Sequence, residues 1–343
     1  MRINSEWITF QQYQQQLSSF STDSITLYHS PLWLESLIKG FSVDIQAVLS
    51  TGEENKILAI TPFIVMRKGP FLLFGSPLSG VYTEFVGPLF FSGLGKGERS
   101  EVLESQHRLV AKRGHYIEWG CKGENENVES WGKYLEQHGY EHIARPTLLL
   151  DLSLGEKKVW ESFKGRARNM TRKAEKSGVV ALDVIPTMEW INDYYEMLQE
   201  TFGQQGRKVP HPLAFYKQIV GIASAGMARC VVAEIEGRMI AAAIFLIDKK
   251  RMLYLSGTAT TEGKKLAATT LIQWHAIREA IATDITDYDM GGLGVSSIDK
   301  FKRSFGGQEI QHHRWIYRSR LFGIIEPIAR WAAQKGLIKI QGG

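Results

Sequence analysis

Apolar and polar positions along this chain switch between a strand period and a helix period in the same order twice. Lys56–Gly75, KILAITPFIVMRKGPFLLFG, aligns without a gap on Arg238–Gly257, RMIAAAIFLIDKKRMLYLSG, at an offset of 182 residues. Each segment has a cation, a long apolar run, a polar turn, a second apolar run and a closing glycine, the pattern of a buried β-hairpin. After the first hairpin the pattern predicts a helix (Glu98–Arg113), a strand (His115–Gly120), a helix near Val128–His138 and a strand (Tyr140–Leu150). After the second it predicts a helix (Lys264–Ala282), a strand (Ile285–Met290), a short helix (Ser296–Ser304) and a strand (Gln308–Tyr317). Upstream of the second hairpin lie a strand (Val179–Ile185), two helices (Met188–Phe202 and Leu213–Ser224) and a strand (Ala228–Ile235). The first copy reads as trimmed at its start, retaining a helix with Ser30 as N-cap, Pro31 at its first position and Gly40 past its end.

At 343 residues the chain suits two domains of about 150–170 residues, with the junction near Arg145–Leu154. The division is drawn at 1–150 and 151–343. Hydrophobic content of 44% and charged content of 22% are globular values. The longest apolar runs, Ile57–Met66 and Met239–Ile247, are shorter than the ~20 residues that span a bilayer. Met1–Phe20 is polar and glutamine-rich rather than basic then apolar, and Cys121 and Cys230 stand alone, so a cytoplasmic setting with reduced thiols is expected. His138 and His142 are separated by a helix-breaking Gly139, and His312–His313 is a strand dipeptide, so no metal site is expected.

The net charge of +5 is unevenly placed. Lys157–Lys176 carries eight cations against two acids, Ser296–Arg320 six against two, and the remainder is left at −5. Read as one helix, Trp160–Ser177 puts Lys164, Arg168, Arg172 and Lys176 on one face at i,i+4 spacing. Like charges at that spacing repel, a cost that a bound phosphate offsets; a solvated helix face is the alternative. The second basic segment follows a strand that breaks into Gly291, Gly292 and Gly294 and then enters the turn Asp299–Phe305. Glycines there let backbone amides approach an anionic ligand, while an ordinary tight strand–helix connection has the same composition. Lys300, Lys302 and Arg303 flank Phe301 and Phe305, which share a face. Arg320–Ala333 places Leu321, Ile324, Ile325, Ile328 and Trp331 at helical spacing, with Arg320, Arg330 and Lys335 beside them. That helix is expected to dock on the C-terminal domain, with a membrane-surface helix as the second reading.

Taken in order, SPLWLESL (Ser30–Leu37), ITPFIV, NMTRKAEKSGV (Asn169–Val179), GTATTEGKKL and YDMGG…FKRSFGG resemble the motifs of FemAB-like proteins, tandem-GNAT acyl- and aminoacyltransferases. The resemblance implies an α/β (α+β) fold of two GNAT-like domains, each a mixed, mostly antiparallel sheet flanked by helices. It implies a donor site at Gly263, Lys264 and Lys265, where the acetyl-CoA signature is not intact, together with Gly291 and Gly292. It implies a functional lysine at Lys302, holding a phosphate or an oxyanion, with Lys164, Arg168, Arg172, Arg207 and Lys300 on substrate or phosphate. Asp289 and Tyr288 are candidates for accepting the proton of the attacking amine. No cofactor is expected to stay bound; acyl-CoA or aminoacyl-tRNA would be the donor. The acceptor would be a nucleotide- or lipid-linked amine of the cell envelope, with tRNA and the inner membrane surface as candidate partners. The competing readings are a nucleic-acid-binding module and a catalytically silent protein of the same fold.

Overall fold

The computed structural model describes residues 2–122 and 128–334, which form two compact units, Met1–Ala144 with His312–Gly343, and Arg145–Gln311. Unit 1 begins with β1 (Asn4–Thr9), α1 (Phe10–Leu17), α2 (Pro31–Phe41) and β2 (Asp44–Thr51). The hairpin β3 (Ile57–Lys68) and β4 (Phe71–Ser76) follows, then the short β5 (Leu89–Phe90), α3 (Lys96–Ala111), β6 (Tyr116–Cys121) and α4 (Val128–Gln137). The strand β7 (Glu141–Asp151) leads into unit 2, which runs α5 (Gly155–Ser162), α6 (Gly165–Lys176), β8 (Val180–Val184), α7 (Met188–Gly203), α8 (Leu213–Ser224) and β9 (Ala228–Ile235). It continues with β10 (Arg238–Asp248), β11 (Arg251–Ala259), α9 (Thr261–Lys265), α10 (Ala268–Ala282), β12 (Asp287–Gly292) and α11 (Ser296–Lys302). The strand β13 (Gln308–Arg318) and helix α12 (Arg320–Gln334) complete the chain's described part.

Both units have the same strand order. In unit 1 it is β1-β2-β3-β4-β6-β13, and in unit 2 β8-β9-β10-β11-β12-β7. One pairing in each is parallel, β4 with β6 and β11 with β12; the other pairings with a printed register are antiparallel. The last strand of each sheet comes from the other end of the chain. His313–Arg318 of β13 pairs with β6, and Thr147–Asp151 of β7 pairs with β12. The segment from His312 onward therefore groups with unit 1, whereas the sequence reading placed it in the second half.

Three expectations about local structure change. The first copy is not trimmed, since β1, α1, α2 and β2 occupy the places of β8, α7, α8 and β9. Its start escaped the pattern because FQQYQQQL buries only Tyr13 and Leu17. The hairpins are equivalent, but their turns pair Lys68 with Phe71 and Asp248 with Arg251, an offset of 180 rather than 182. Gly69 and Lys249, at φ 58° and 57°, hold the same place in the two turns. A slip of two residues keeps every side chain on its face, so alternation cannot detect it. Finally, Ser30 does cap α2, its Oγ accepting from Trp33 N, but Gly40 lies inside the helix and Ser42 takes the left-handed position after it.

Each unit has its own core. In unit 1 Phe63, Phe74, Trp119, Trp131 and Trp315 pack together; in unit 2 Phe163, Phe245, Met252, Ile277, Tyr288 and Phe305 do. Among the described residues no helix is long and apolar enough to cross a membrane.

Candidate functional site

In unit 2 the strands β11 and β12 pair over only three positions, Arg251–Leu253 against Asp287–Asp289, and β12 then shifts register against β7 before Gly292 meets Thr147. Beyond Leu253 the two parallel strands part, leaving Tyr254–Thr258 on one side and Met290–Gly292 on the other. Unpaired strand backbone inside a sheet is a natural place for an extended ligand to add hydrogen bonds.

Lys302 stands at this opening. It is buried at 6% exposure, and its Nζ donates to Gly292 O at 2.7 Å. A Cβ placed on Gly291 would lie 3.5 Å from both Lys302 Nζ and Tyr254 O, so the ammonium sits where the strands separate. Gly291, at φ 79°, supplies the turn that brings it there. Asp289 is buried and accepts from Gly291 N at 2.8 Å and, in a short contact, from Thr147 Oγ1. It braces the glycine turn. Tyr288 has no exposed surface and donates to Gln273 Oε1; burial pushes its phenol far up, and the carboxylate of Asp289 pushes the same way. That places the Tyr288 hydroxyl inside the core rather than in the opening.

The glycine loop is not an amide cradle. Gly291 N is held by Asp289, Leu293 N donates to Pro146 O, and Gly294 N and Val295 N donate to the carboxylate of Asp299. The amides of Gly291, Leu293, Gly294 and Val295 thus have partners within the fold. Gly263 likewise answers to packing: a Cβ there would meet Ile240 O at 2.2 Å, which sets how closely α9 lies on β10. Lys264 Nζ donates to Gln204 Oε1 at 3.1 Å, and Lys265 is exposed. The expected continuous helix here is broken, with Ala267 left-handed (φ 59°) between α9 and α10.

The basic stripe is also broken. Phe163 is extended and inserts against Trp274 and Phe305, so α5 ends and Lys164 becomes the N-cap of α6. Arg168 turns back, its Nη1 donating to Phe163 O at 2.6 Å and Glu161 O at 2.9 Å, the unsatisfied carbonyls at the end of α5. Arg172 lies over the Trp160 ring at 5.5 Å, and Lys173 Nζ donates to Lys265 O at 2.6 Å. Two of the four striped cations thus have local partners. Lys164 and Lys300 are exposed, as is Arg207, which lies over the Phe202 ring.

A polar row that sequence reasoning passed over lines β11. Tyr194 OH meets Ser256 Oγ at 2.7 Å, and Thr201 Oγ1 meets Thr258 Oγ1 at 2.8 Å. Tyr216 closes the group, and burial pushes it up to about 12, so it stays a phenol at neutral pH; Tyr254 packs instead against Phe245 in the core of unit 2. His211, 6.4 Å from the Tyr216 ring, is lowered to about 4 by burial, partly offset by a backbone hydrogen bond at Pro210, and stays neutral. The period-2 spacing of Ser256 and Thr258 on a strand whose neighbour ends in glycines was the available signal.

Residues 161–303 match the family model for an acetyltransferase (GNAT) domain. No curated protein matches the chain by sequence. Among solved structures, FemX superposes over 94% of this chain and 100% of its own at a TM-score of 0.69 and 15% identity. A tandem GNAT protein from the clavulanic acid biosynthesis pathway covers 92% of this chain and 98% of its own (TM-score 0.54, 8% identity). The C-terminal domain of a putative lysylphosphatidylglycerol synthetase from Agrobacterium fabrum covers 94% and 97% (TM-score 0.57, 9% identity). The fold is therefore a tandem GNAT fold shared with FemX, and the match to the acetyltransferase (GNAT) domain model lies within unit 2.

Proposed function

We propose that the chain transfers an acyl or aminoacyl group from acyl-CoA or aminoacyl-tRNA to the amine of a nucleotide- or lipid-linked cell-envelope precursor. The observation that carries this reading is the parting of β11 and β12 after three residue pairs, with the Lys302 ammonium at the opening. The neutral amine attacks the donor carbonyl, a tetrahedral oxyanion forms, and the thiol or tRNA hydroxyl leaves as the amine sheds its proton. In this reading Lys302 stabilises the oxyanion, and its hydrogen bond to Gly292 O supports that role by holding the ammonium in one orientation. Asp289 acts as a positioning residue behind it. The half-buried Ser256, held by Tyr194 behind it, offers a neutral hydroxyl to orient the substrates. Support for an envelope acceptor comes from the fold shared with the C-terminal domain of a protein named as a putative lysylphosphatidylglycerol synthetase.

The test is a turnover screen pairing acyl-CoA and charged tRNA with amine-bearing peptidoglycan and lipid precursors, read by mass gain on the acceptor. Transfer that disappears in Lys302→Ala supports the reading. Retention of RNA without any acceptor modification would favour a nucleic-acid-binding module instead.

A further inference from the structure

Helix α12 is amphipathic in the inverted sense: its apolar face points to solvent. Leu321, Ile324, Ile325, Ile328 and Trp331 recur at helical spacing and are all exposed, Ile324 and Ile328 by 64% and 60%. The opposite face holds the helix to unit 1. Phe322 is buried there, its ring 5.2 Å from Phe71 and 5.7 Å from Tyr116, and Glu326 accepts from Arg318 Nε at 2.8 Å. The expected docking on the C-terminal domain is thus replaced by attachment to unit 1, with Phe322 and the Arg318–Glu326 pair in the contact. A row of five large apolar side chains left in water opposes the hydrophobic effect unless something covers it.

The charges in this part of the sequence say what the cover is. With the Arg318–Glu326 pair set aside, the remaining charged residues from 319 to the last residue are Arg320, Arg330, Lys335 and Lys339, all cations. A second copy of the chain would bring two segments of the same net charge together, which like charges oppose. An anionic lipid surface meets both features, taking the Ile and Trp side chains into the headgroup–acyl boundary and the cations onto phosphates. We propose that α12 is a membrane-surface helix that binds bilayers rich in anionic lipid, lying in the interface without crossing it. This holds whether or not the transfer reaction above is correct.

The experiment is flotation of the full chain with vesicles of phosphatidylglycerol and phosphatidylcholine in equal parts, and of phosphatidylcholine alone. Binding to the anionic vesicles is expected to exceed binding to the neutral ones by roughly 10-fold or more and to weaken with salt. The double variant Ile324→Asp, Ile328→Asp is expected to lose about 10-fold or more of that binding with its thermal unfolding unchanged. Should it fail to fold, Trp331→Ser carries the same comparison. Equal binding by variant and wild type, or equal binding to both vesicle types, overturns the assignment. So does a dimer in light scattering that the variant abolishes while vesicles bind nothing, since a second copy would then cover the face.

Discussion

Lys302 Nζ and the carbonyl oxygen of Gly292 lie 2.7 Å apart, which ties the end of α11 to the last residue of β12. One contact therefore orients a cation and fixes the end of the strand that forms one side of the opening. Replacing Lys302 should consequently be read twice, in turnover and in stability.

Lys302→Ala is expected to lower turnover by roughly 10²–10³-fold, the range for losing one oxyanion stabiliser, with a smaller change in KM. Lys302→Arg should restore only part, because a planar fork does not replace a compact ammonium. Unfolding of each variant in denaturant should show a loss of about 1–3 kcal/mol in Lys302→Ala from the lost charge-assisted hydrogen bond to Gly292 O. Full activity in Lys302→Ala would remove the residue from the chemistry.

Arg168 caps α5 rather than forming part of a free charged face. Arg168→Glu is expected to destabilise the fold by about 1–2 kcal/mol, since a carboxylate cannot donate to Glu161 O and Phe163 O. Arg166, exposed on the same helix, should be neutral to the same reversal. Denaturant unfolding of the two variants side by side decides it; an unchanged midpoint for Arg168→Glu would return the stripe to a solvated face.

Thr147→Val removes the hydroxyl that donates to the buried Asp289. The expected cost is about 1–3 kcal/mol, the penalty for a buried acceptor left short of a donor. If Asp289 positions the glycine turn, kcat should fall with it while KM holds. A variant with normal kcat would show that the brace is purely structural.

His107, buried in unit 1 beside Tyr140, is lowered to about 4 by burial first and by His138 and Arg108 second; His211 in unit 2 is lowered to about 4 by burial. Both imidazoles fold neutral, and the unfolded chain binds more protons below the ordinary histidine range near 6.5. Their contribution is intact above about pH 6.5 and is lost as pH falls from there toward 4. His107→Gln should flatten the stability slope in that window by up to about 3 kcal/mol across it, since each pKa unit is worth ~1.4 kcal/mol. Unfolding free energies at a series of pH values check the slope, and an unaltered slope would refute the buried-neutral assignment.

Much of the architecture was already set by the chain's own pattern. The two hairpins, the order of helices and strands after them, and the glycine break before Lys302 all follow from period and turn residues, which act over a few positions. What only the tertiary structure decided are the partners. Thr147 reaches Asp289 across 142 residues, and β13 completes the sheet of unit 1 with Arg314 against the buried Glu118. The glycine run by itself suits an anion, whereas the fold sets Asp289 on the Gly291 amide and Asp299 on those of Gly294 and Val295. Arg168 looked like a free cation until its carbonyl partners appeared. The helix α12 carries its amphipathic period plainly, yet no period says which face meets the protein. Periodicity is a property of one segment, whereas a hydrogen-bond partner or a buried face belongs to two segments brought together by the whole chain's burial of apolar surface.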